Sequence, residues 1–322
     1  MGLGVVKGCS QQSACDVVAV HDDTPDAAAQ FAAASEIGFA TDNFAALLSY
    51  GVDFVAITGP LRDRLAQVEM AAEQSVSCIL TAPFAPDLKT ARAMHDVCQR
   101  HGVRLGVFVR SQNDPVVEQL RRMIAADWLG GVVAVQAITG SDEMLRSREL
   151  ADGGDLFIAL ASEHVHTTNW LTSRQAVSVT AQTTRSFSPD LDDGGTATVL
   201  LRGNVPCSYL CSRLTRVNAF AIHGTDGGMR IAGDRIWLSG QRSFQGHIFD
   251  YETPGVEQVL ARHDLHKALA THRAESELNG RFARWLEDMD DYPCPIEQAV
   301  IDFETVDAMS RAAIARRTIE LD

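Results

Sequence analysis

A carboxylate and an imidazole lie three positions apart in this chain, at Glu163 and His166. In a helix this spacing places the two side chains one turn apart on the same face. A histidine titrates near neutral pH, and a carboxylate beside it favours the protonated ring, so such a pair suits general acid–base catalysis. Glu163 and His166 are therefore the candidate catalytic residues.

Two other interpretations of this segment stay open. Glu163, His164 and His166 are equally typical of an exposed, solvated helix face that has no chemical role. The Glu-x-x-His spacing also occurs in helical metal sites, but the sequence identifies no third ligand. We therefore expect no bound metal.

The overall charge excludes several classes of partner. The 322 residues include 28 Lys and Arg against 42 Asp and Glu, a net charge of -14. Nucleic acids and anionic membranes require a positive surface, so we expect neither and predict a small-molecule substrate. No secretory leader or uninterrupted apolar window of membrane-spanning length is present, which predicts a cytoplasmic protein. The seven cysteines form no metal-type cluster.

The stretch 76–86 (VSCILTAPFAP) predicts a buried strand that ends in a turn just before a helix. Its apolar residues do not alternate, which is typical of a parallel strand covered on both faces. Thr81-Ala82-Pro83 then lies at the carboxyl end of the strand, the edge where open α/β sheets bind ligands. The sequence predicts a second strand over 103–109, and its carboxyl end lies at the same edge of the sheet. Arg110 and Gln112 are therefore candidate substrate-binding residues, together with His164.

An acidic residue ends another apolar strand, predicted over 16–22. Asp22 occupies the place of the acid that binds an adenosine ribose in dinucleotide-binding folds. The alternative is that Asp22 and Asp23 only end the strand and cap the helix predicted over 25–35.

A dinucleotide site also needs a preceding strand and a Gly-rich turn that leads into a helix. Only sixteen residues precede Val17, and the glycines among them (Gly2, Gly4 and Gly8) follow no strand. We interpret 2–10 as the end of the fold's first helix, with the first strand and the phosphate-binding turn missing. Asp22 is then a vestigial cofactor residue, and no cofactor is expected.

Beyond residue 113 the pattern changes to short alternating stretches separated by turns such as Asp226-Gly227-Gly228. The fold class is therefore α/β: a truncated, Rossmann-like, doubly wound parallel sheet, followed by an α+β domain with a large, mostly antiparallel, open sheet. We place the domains at 1–112 and 113–322, with the closing helices, predicted over 273–289 and 296–318, packing back on the first domain. An uncovered sheet face predicts a homodimer or higher homo-oligomer.

Several motifs resemble the glucose-fructose oxidoreductase, inositol dehydrogenase and MocA-like family. The Ile57-Thr58-Gly59-Pro60 turn resembles the family's Thr-Pro turn, with Arg64 where a His often follows, and 222–227 resembles its Gly-Thr-Glu-Gly turn. Thr81-Ala82-Pro83 stands where nicotinamide-dependent members carry Glu-Lys-Pro. Their Asp-x-Gly-x-His-x-x-Asp pattern falls, in order, on four residues: Ala159, Ala161, Glu163 and His166.

By this resemblance the chain has lost the catalytic Lys, at Ala82, and the Asp, at Ala159, but keeps titratable groups at Glu163 and His166. It implies NAD or NADP as the cofactor if the family function is retained. Three interpretations follow: an enzyme that uses non-redox acid–base chemistry on a sugar- or cyclitol-like metabolite; an NAD(P)-dependent dehydrogenase with an unusual proton donor; or a non-catalytic sensor or scaffold subunit.

Overall fold

The computed structural model describes residues 15–142, 144, 154–187, 189–262, 264–265 and 277–321. The chain divides into two compact units. Unit 1 comprises Met1–Phe108 and Arg273–Val300, and unit 2 comprises Val109–His272 and Ile301–Asp322. None of the helices within the described ranges combines the length and the apolar character needed to cross a bilayer.

Unit 1 contains two parallel sheets. In the first, β1 (Ala19–His21) pairs with β2 (Phe39–Thr41). In the second, β3 (Phe54–Ile57), β4 (Ser77–Thr81) and β5 (Leu105–Phe108) lie side by side in that order. The helices that alternate with these strands are α1 (Pro25–Ala34), α2 (Phe44–Leu48), α3 (Arg64–Glu73) and α4 (Leu88–His101).

Local sequence signals define the helix ends in this unit. The Asp87 side chain accepts a hydrogen bond from the Thr90 N–H at 2.7 Å and so caps the start of α4. Gly102 ends the same helix at φ 65°, a left-handed conformation that glycine adopts without steric cost. These two signals therefore set the ends of α4, the helix between β4 and β5.

An aromatic cluster packs against the three-stranded sheet. Phe282, from α7 (Glu277–Leu286), contacts Phe54 and Tyr292 with ring centroids 5.1 and 5.4 Å away. Gly106 in β5 makes room for these rings, because a Cβ there would lie 2.6 Å from Tyr292. The segment at the end of the chain thus supplies part of the core of unit 1.

Unit 2 is built on one nine-stranded sheet. Its strands are β6 (Val132–Gly140), β7 (Ala176–Thr184), β8 (Gly194–Leu201), β9 (Val205–Ser212), β10 (Val217–Gly224), β11 (Gly227–Ala232), β12 (Arg235–Gly240), β13 (Gln258–Ala261) and β14 (Ile319–Glu320). They lie in the order β13-β12-β11-β10-β6-β9-β8-β7-β14. All neighbours are antiparallel except β6 and β9, which run parallel.

The two faces of this sheet differ in burial. Along β9, Cys207, Tyr209 and Cys211 are buried, whereas Ser208 and Leu210 between them are exposed. Two helices, α5 (Pro115–Ala125) and α6 (Leu156–Thr172), belong wholly to unit 2, and α8 (Ile296–Ala315) contributes its part from Ile301 onward. Alternation of this kind is what a sheet covered on one face produces.

The predicted fold class is confirmed: parallel α/β sheets come first, and a large, mostly antiparallel sheet follows. Three short strands, β2, β13 and β14, were not predicted from the sequence. The predicted end of a first helix at 2–10 lies outside the described residues. The domain boundary at residue 112 and the packing of the closing helices stay predictions.

Candidate functional site

The helix α6 carries most of the candidate residues. The Asp155 carboxylate begins it by accepting hydrogen bonds from the N–H groups of Phe157 and Ile158, at 2.9 and 3.1 Å. Ser173 ends it in the left-handed conformation, at φ 53°. Most of its side chains are buried, including several polar ones, so this helix is not simply an apolar element.

Glu163 is half-buried and is held by a neighbouring turn. Its Oε1 accepts a hydrogen bond from the main-chain N–H of Ser111 at 3.1 Å. Ser111 begins the 3-10 turn Ser111–Asn113, and its hydroxyl bonds to the Thr167 hydroxyl, which donates to the Glu163 carbonyl at 2.7 Å. Because a main-chain N–H can only donate, this contact orients the carboxylate with one oxygen towards the turn.

His166 has a different environment from Glu163. Its ring is fully buried, and Nδ1 lies 2.7 Å from Asp302 Oδ2 on α8. The other Asp302 oxygen accepts a hydrogen bond from the Asn169 amide at 2.8 Å. The two candidate catalytic residues therefore have separate partners, and only Glu163 is partly exposed.

His164 is buried as well, with 7% of its surface exposed. Its ring stacks on Phe220, with centroids 5.9 Å apart and an angle of 13° between the planes. Burial lowers the pKa of His164 from 6.5 to about 4, so the ring is neutral at neutral pH. The alternative of a solvated helix face is therefore wrong for His164 and His166.

Arg110 and Gln112, the two predicted substrate-binding residues in this turn, differ in exposure. Arg110 is exposed beside the 3-10 turn, whereas Gln112 is only 1% exposed. The Gln112 amide donates to the His166 carbonyl at 3.3 Å, which ties the turn to α6. Contact of either residue with a substrate stays a prediction.

In unit 1, a buried arginine joins the turns that follow β3 and β4. Arg64 Nε donates to the Gly59 carbonyl at 2.9 Å, and its Nη1 donates to the carbonyls of Thr81 and Pro83, both at 2.8 Å. The Ala82–Pro83 peptide bond in the second turn is cis. Arg64 thus places a positive charge beside the Thr81-Ala82-Pro83 turn. Its guanidinium binds main-chain carbonyls there.

The described residues of unit 1 do not by themselves fit a nicotinamide dinucleotide. Asp22, beyond β1, is exposed, and its Oδ1 accepts a hydrogen bond from the Thr24 N–H at 2.9 Å, as in a local turn. Ala82 carries no polar side chain, and the segment 1–14, in which a phosphate-binding turn was sought, lies outside the described residues. A cofactor role for Asp22 stays a prediction.

Four residues of this site were not predicted from the sequence: Ser111, Thr167, Asn169 and Asp302. Ser111 lies between Arg110 and Gln112, so the strand-end argument that selected those two applies to it equally. Asp302 lies 136 positions from His166, and no spacing pattern connects them. Only the folded arrangement of α6 and α8 reveals this pair.

Comparison with known proteins adds a family match. Residues 117–230 match the model of the GFO/IDH/MocA C-terminal domain. A myo-inositol dehydrogenase from Streptomyces leeuwenhoekii is 28% identical over 159 residues, which are 48% of this chain and 49% of that protein. The match therefore spans about half the length of this curated relative.

Solved structures resemble the whole chain. An oxidoreductase from Agrobacterium radiobacter, in complex with NAD+, L-tartaric acid and magnesium, has a TM-score of 0.83 at 18% identity, covering 99% of this chain and 95% of that one. An aldose-aldose oxidoreductase from Caulobacter crescentus, complexed with glycerol, has a TM-score of 0.82 at 16% identity, with 98% and 95% covered. At such identities the likeness shows the fold.

Proposed function

Because this chain belongs to the GFO/IDH/MocA family, we propose that it is an enzyme that acts on a sugar- or cyclitol-like metabolite by proton transfer at Glu163. The substrate class is supported by the relatives, which are named for myo-inositol and for aldoses. The reaction is proposed to be non-redox. The Glu163 carboxylate takes a proton from the carbon next to a carbonyl group of the substrate, which leaves an enolate, and the resulting carboxylic acid protonates that enolate.

The observation that carries this proposal is the contact between Glu163 and Ser111. The 3.1 Å hydrogen bond from the Ser111 N–H fixes one carboxylate oxygen of a half-buried side chain. The other oxygen is left to act as the base, in a position that the turn and the Thr167 hydroxyl define. A positioned carboxylate is the basic requirement for general base catalysis.

His166 acts in this proposal as a positioning residue. A fully buried ring bound to Asp302 does not reach a substrate, but it fixes α6 against α8 three residues beyond Glu163. Its carbonyl also accepts the Gln112 amide and so holds the turn that carries Ser111. Arg110, exposed beside the same turn, is proposed to bind a polar substituent of the substrate.

Two features of the chain support non-redox chemistry. Ala82 and Ala159 stand at the positions where the family resemblance implies a catalytic Lys and an Asp. Arg64 supplies a cation near the first of these, but its guanidinium binds the carbonyls of Gly59, Thr81 and Pro83. A nicotinamide-dependent dehydrogenase is the second candidate, favoured by the solved relative that contains NAD+.

The test is to incubate the protein in D2O with aldoses, ketoses and keto-inositols, with and without NAD+ or NADP+. Proton transfer without hydride transfer predicts deuterium at the carbon next to the carbonyl, with no cofactor added and no reduced nicotinamide formed. We expect Glu163→Gln to lower the exchange rate by about 10²- to 10⁴-fold. Glu257→Gln, at an exposed position in unit 2, is the matched control and should retain the wild-type rate.

Two results would overturn the proposal. Formation of reduced nicotinamide with a polyol substrate would establish the dehydrogenase. Sugar binding in a thermal-shift assay, with no exchange and no redox reaction, would favour the sensor or scaffold subunit. Ala82→Lys is a further variant for the first case: non-redox chemistry at Glu163 predicts that restoring a Lys at this turn produces no dehydrogenase activity.

A further inference from the structure

The Ser111 hydroxyl belongs to a chain of hydrogen bonds whose direction the structure defines. The Thr167 hydroxyl lies 2.7 Å from the Glu163 carbonyl, and a main-chain carbonyl can only accept, so the single Thr167 proton goes there. The Ser111 hydroxyl bonds to Thr167 Oγ1. Because Thr167 has no second proton to give, Ser111 is the donor of that bond.

Ser111 therefore uses both of its donors within the protein. Its main-chain N–H donates to Glu163 Oε1 at 3.1 Å, and its hydroxyl proton goes to Thr167. What Ser111 Oγ still offers to a further molecule is its lone pairs, which only accept hydrogen bonds. The residue is half-buried and not enclosed, as contact with a bound molecule requires.

The lone pairs of Ser111 lie close to the proposed base. Glu163 and Thr167 are four positions apart on one face of α6, and Ser111 contacts both of them. A serine Oγ lies within about 4 Å of its own nitrogen, so Ser111 Oγ is at most about 7 Å from Glu163 Oε1. Two hydrogen bonds of about 2.8 Å, made by neighbouring groups of one small molecule, span this distance.

We propose that Ser111 Oγ selects substrates by accepting a hydrogen bond from a hydroxyl group next to the carbon that loses its proton to Glu163. This inference rests on the proposed function and narrows its substrate class to compounds with a hydroxyl beside the reacting carbon. A compound without that hydroxyl leaves Ser111 Oγ without a donor. Arg110, beside it in the turn, carries only donors in its side chain and cannot take this role.

Calorimetric titrations with myo-inositol test the role of Ser111, because this polyol has no carbonyl group and does not undergo the proposed reaction. Each ring position is then probed with two analogues, one with hydrogen and one with fluorine in place of the hydroxyl. Neither replacement can donate a hydrogen bond. At one ring position at least, we expect both analogues to bind the wild type about 3- to 10-fold more weakly than myo-inositol.

Ser111→Ala should bind myo-inositol about 3- to 10-fold more weakly and should no longer distinguish it from the two analogues at that position. Ser111→Thr keeps a hydroxyl and should restore the distinction. Ser162→Ala is the matched control, because the Ser162 hydroxyl donates to the Ile158 carbonyl within α6, and it should retain the wild-type preference. A merely structural role of Ser111 would weaken the binding of all three ligands equally.

Three results would overturn the inference: equal weakening of all three ligands in Ser111→Ala, no ring position that depends on Ser111, or a fluoro analogue that binds the wild type as tightly as myo-inositol. If Glu163→Gln still lowers deuterium exchange in these cases, the proposed function stands without the inference. Dependence on Ser111 in a protein that shows no exchange would leave the hydroxyl contact and reject the reaction. If no polyol binds the wild type, both are wrong.

Thr167→Val is the second variant if Ser111→Ala does not fold. Without Thr167 Oγ1, the Ser111 proton is free to be donated to a bound molecule. Fluorine can accept it, so the fluoro analogue should recover part of its lost affinity, whereas the analogue with hydrogen should not. Equal binding of the two analogues by Thr167→Val would contradict the direction of the chain of hydrogen bonds.

Discussion

Asp302 and His166 form a buried pair, with Oδ2 and Nδ1 2.7 Å apart and side-chain exposures of 1% and 0%. Asn169 completes the arrangement by donating to the second Asp302 oxygen. The pair joins α8 to α6 at the level of the candidate site. Removing one partner of such a buried pair lowers the stability of the protein, because the other side chain stays desolvated without its partner.

Asp302→Asn should therefore destabilise the protein strongly. We expect a loss of about 3 kcal/mol in the free energy of unfolding, the usual scale for breaking a buried pair. Urea denaturation followed by circular dichroism measures it. Asp307→Asn is the control, since Asp307 forms a partly exposed pair with Arg311 at 2.8 Å on the same helix and should cost less than about 1 kcal/mol. Equal losses in the two variants would contradict the prediction.

Arg64→Lys should also be destabilising, although it keeps the charge. The guanidinium reaches Gly59, Thr81 and Pro83 from one buried position, a geometry that a single ammonium cannot reproduce. We expect a loss of about 2–3 kcal/mol by the same measurement. Arg62→Lys, two residues earlier and largely exposed, should change stability by less than about 0.5 kcal/mol. If Arg64→Lys leaves the free energy of unfolding unchanged, the two turns keep their conformation without the guanidinium.

The fold was predictable from sequence where local signals were strong. The apolar run at Cys78–Leu80 specified a parallel strand, and Asp87 and Gly102 delimited a helix, because capping chemistry acts over a few residues. The strand β2 was missed because Phe39–Thr41 is only three residues long and is defined by its pairing with β1. Short strands depend on partners that are distant in sequence.

The candidate site was less predictable. Helical spacing correctly placed Glu163 and His166 one turn apart, but it could not distinguish which side of α6 would be buried. The helix is polar on several sides, so its burial depends on Asp302, Ser111 and Phe220, which lie elsewhere in the chain. The partners of a side chain, and hence its chemistry, follow from tertiary packing.

The stability of unit 2 should depend on pH through His164. Its folded pKa of about 4 lies below the ordinary 6.5, so between these values the unfolded chain binds more protons than the folded one. Stability is therefore complete above about pH 6.5, falls as the pH drops, and loses about 3 kcal/mol from this residue by pH 4. Unfolding free energies measured from pH 7 to pH 4 should fall less steeply in His164→Phe. Parallel slopes in wild type and variant would show that His164 does not cause the dependence.

The open face of the nine-stranded sheet should form a homodimer. Leu210 in β9 is 42% exposed and lies next to Ile138 of β6, in a face that the helices of unit 2 leave uncovered at this strand. Apolar side chains on such a face tend to find a partner, and a two-fold axis would place Leu210 of both copies in one interface. Light scattering at micromolar concentration should give a dimer for the wild type and a monomer for Leu210→Glu. Val256→Glu, at a position that is 57% exposed outside the strands, should remain dimeric. A monomeric wild type would exclude the dimer, and a dimeric Leu210→Glu would place the interface on another surface.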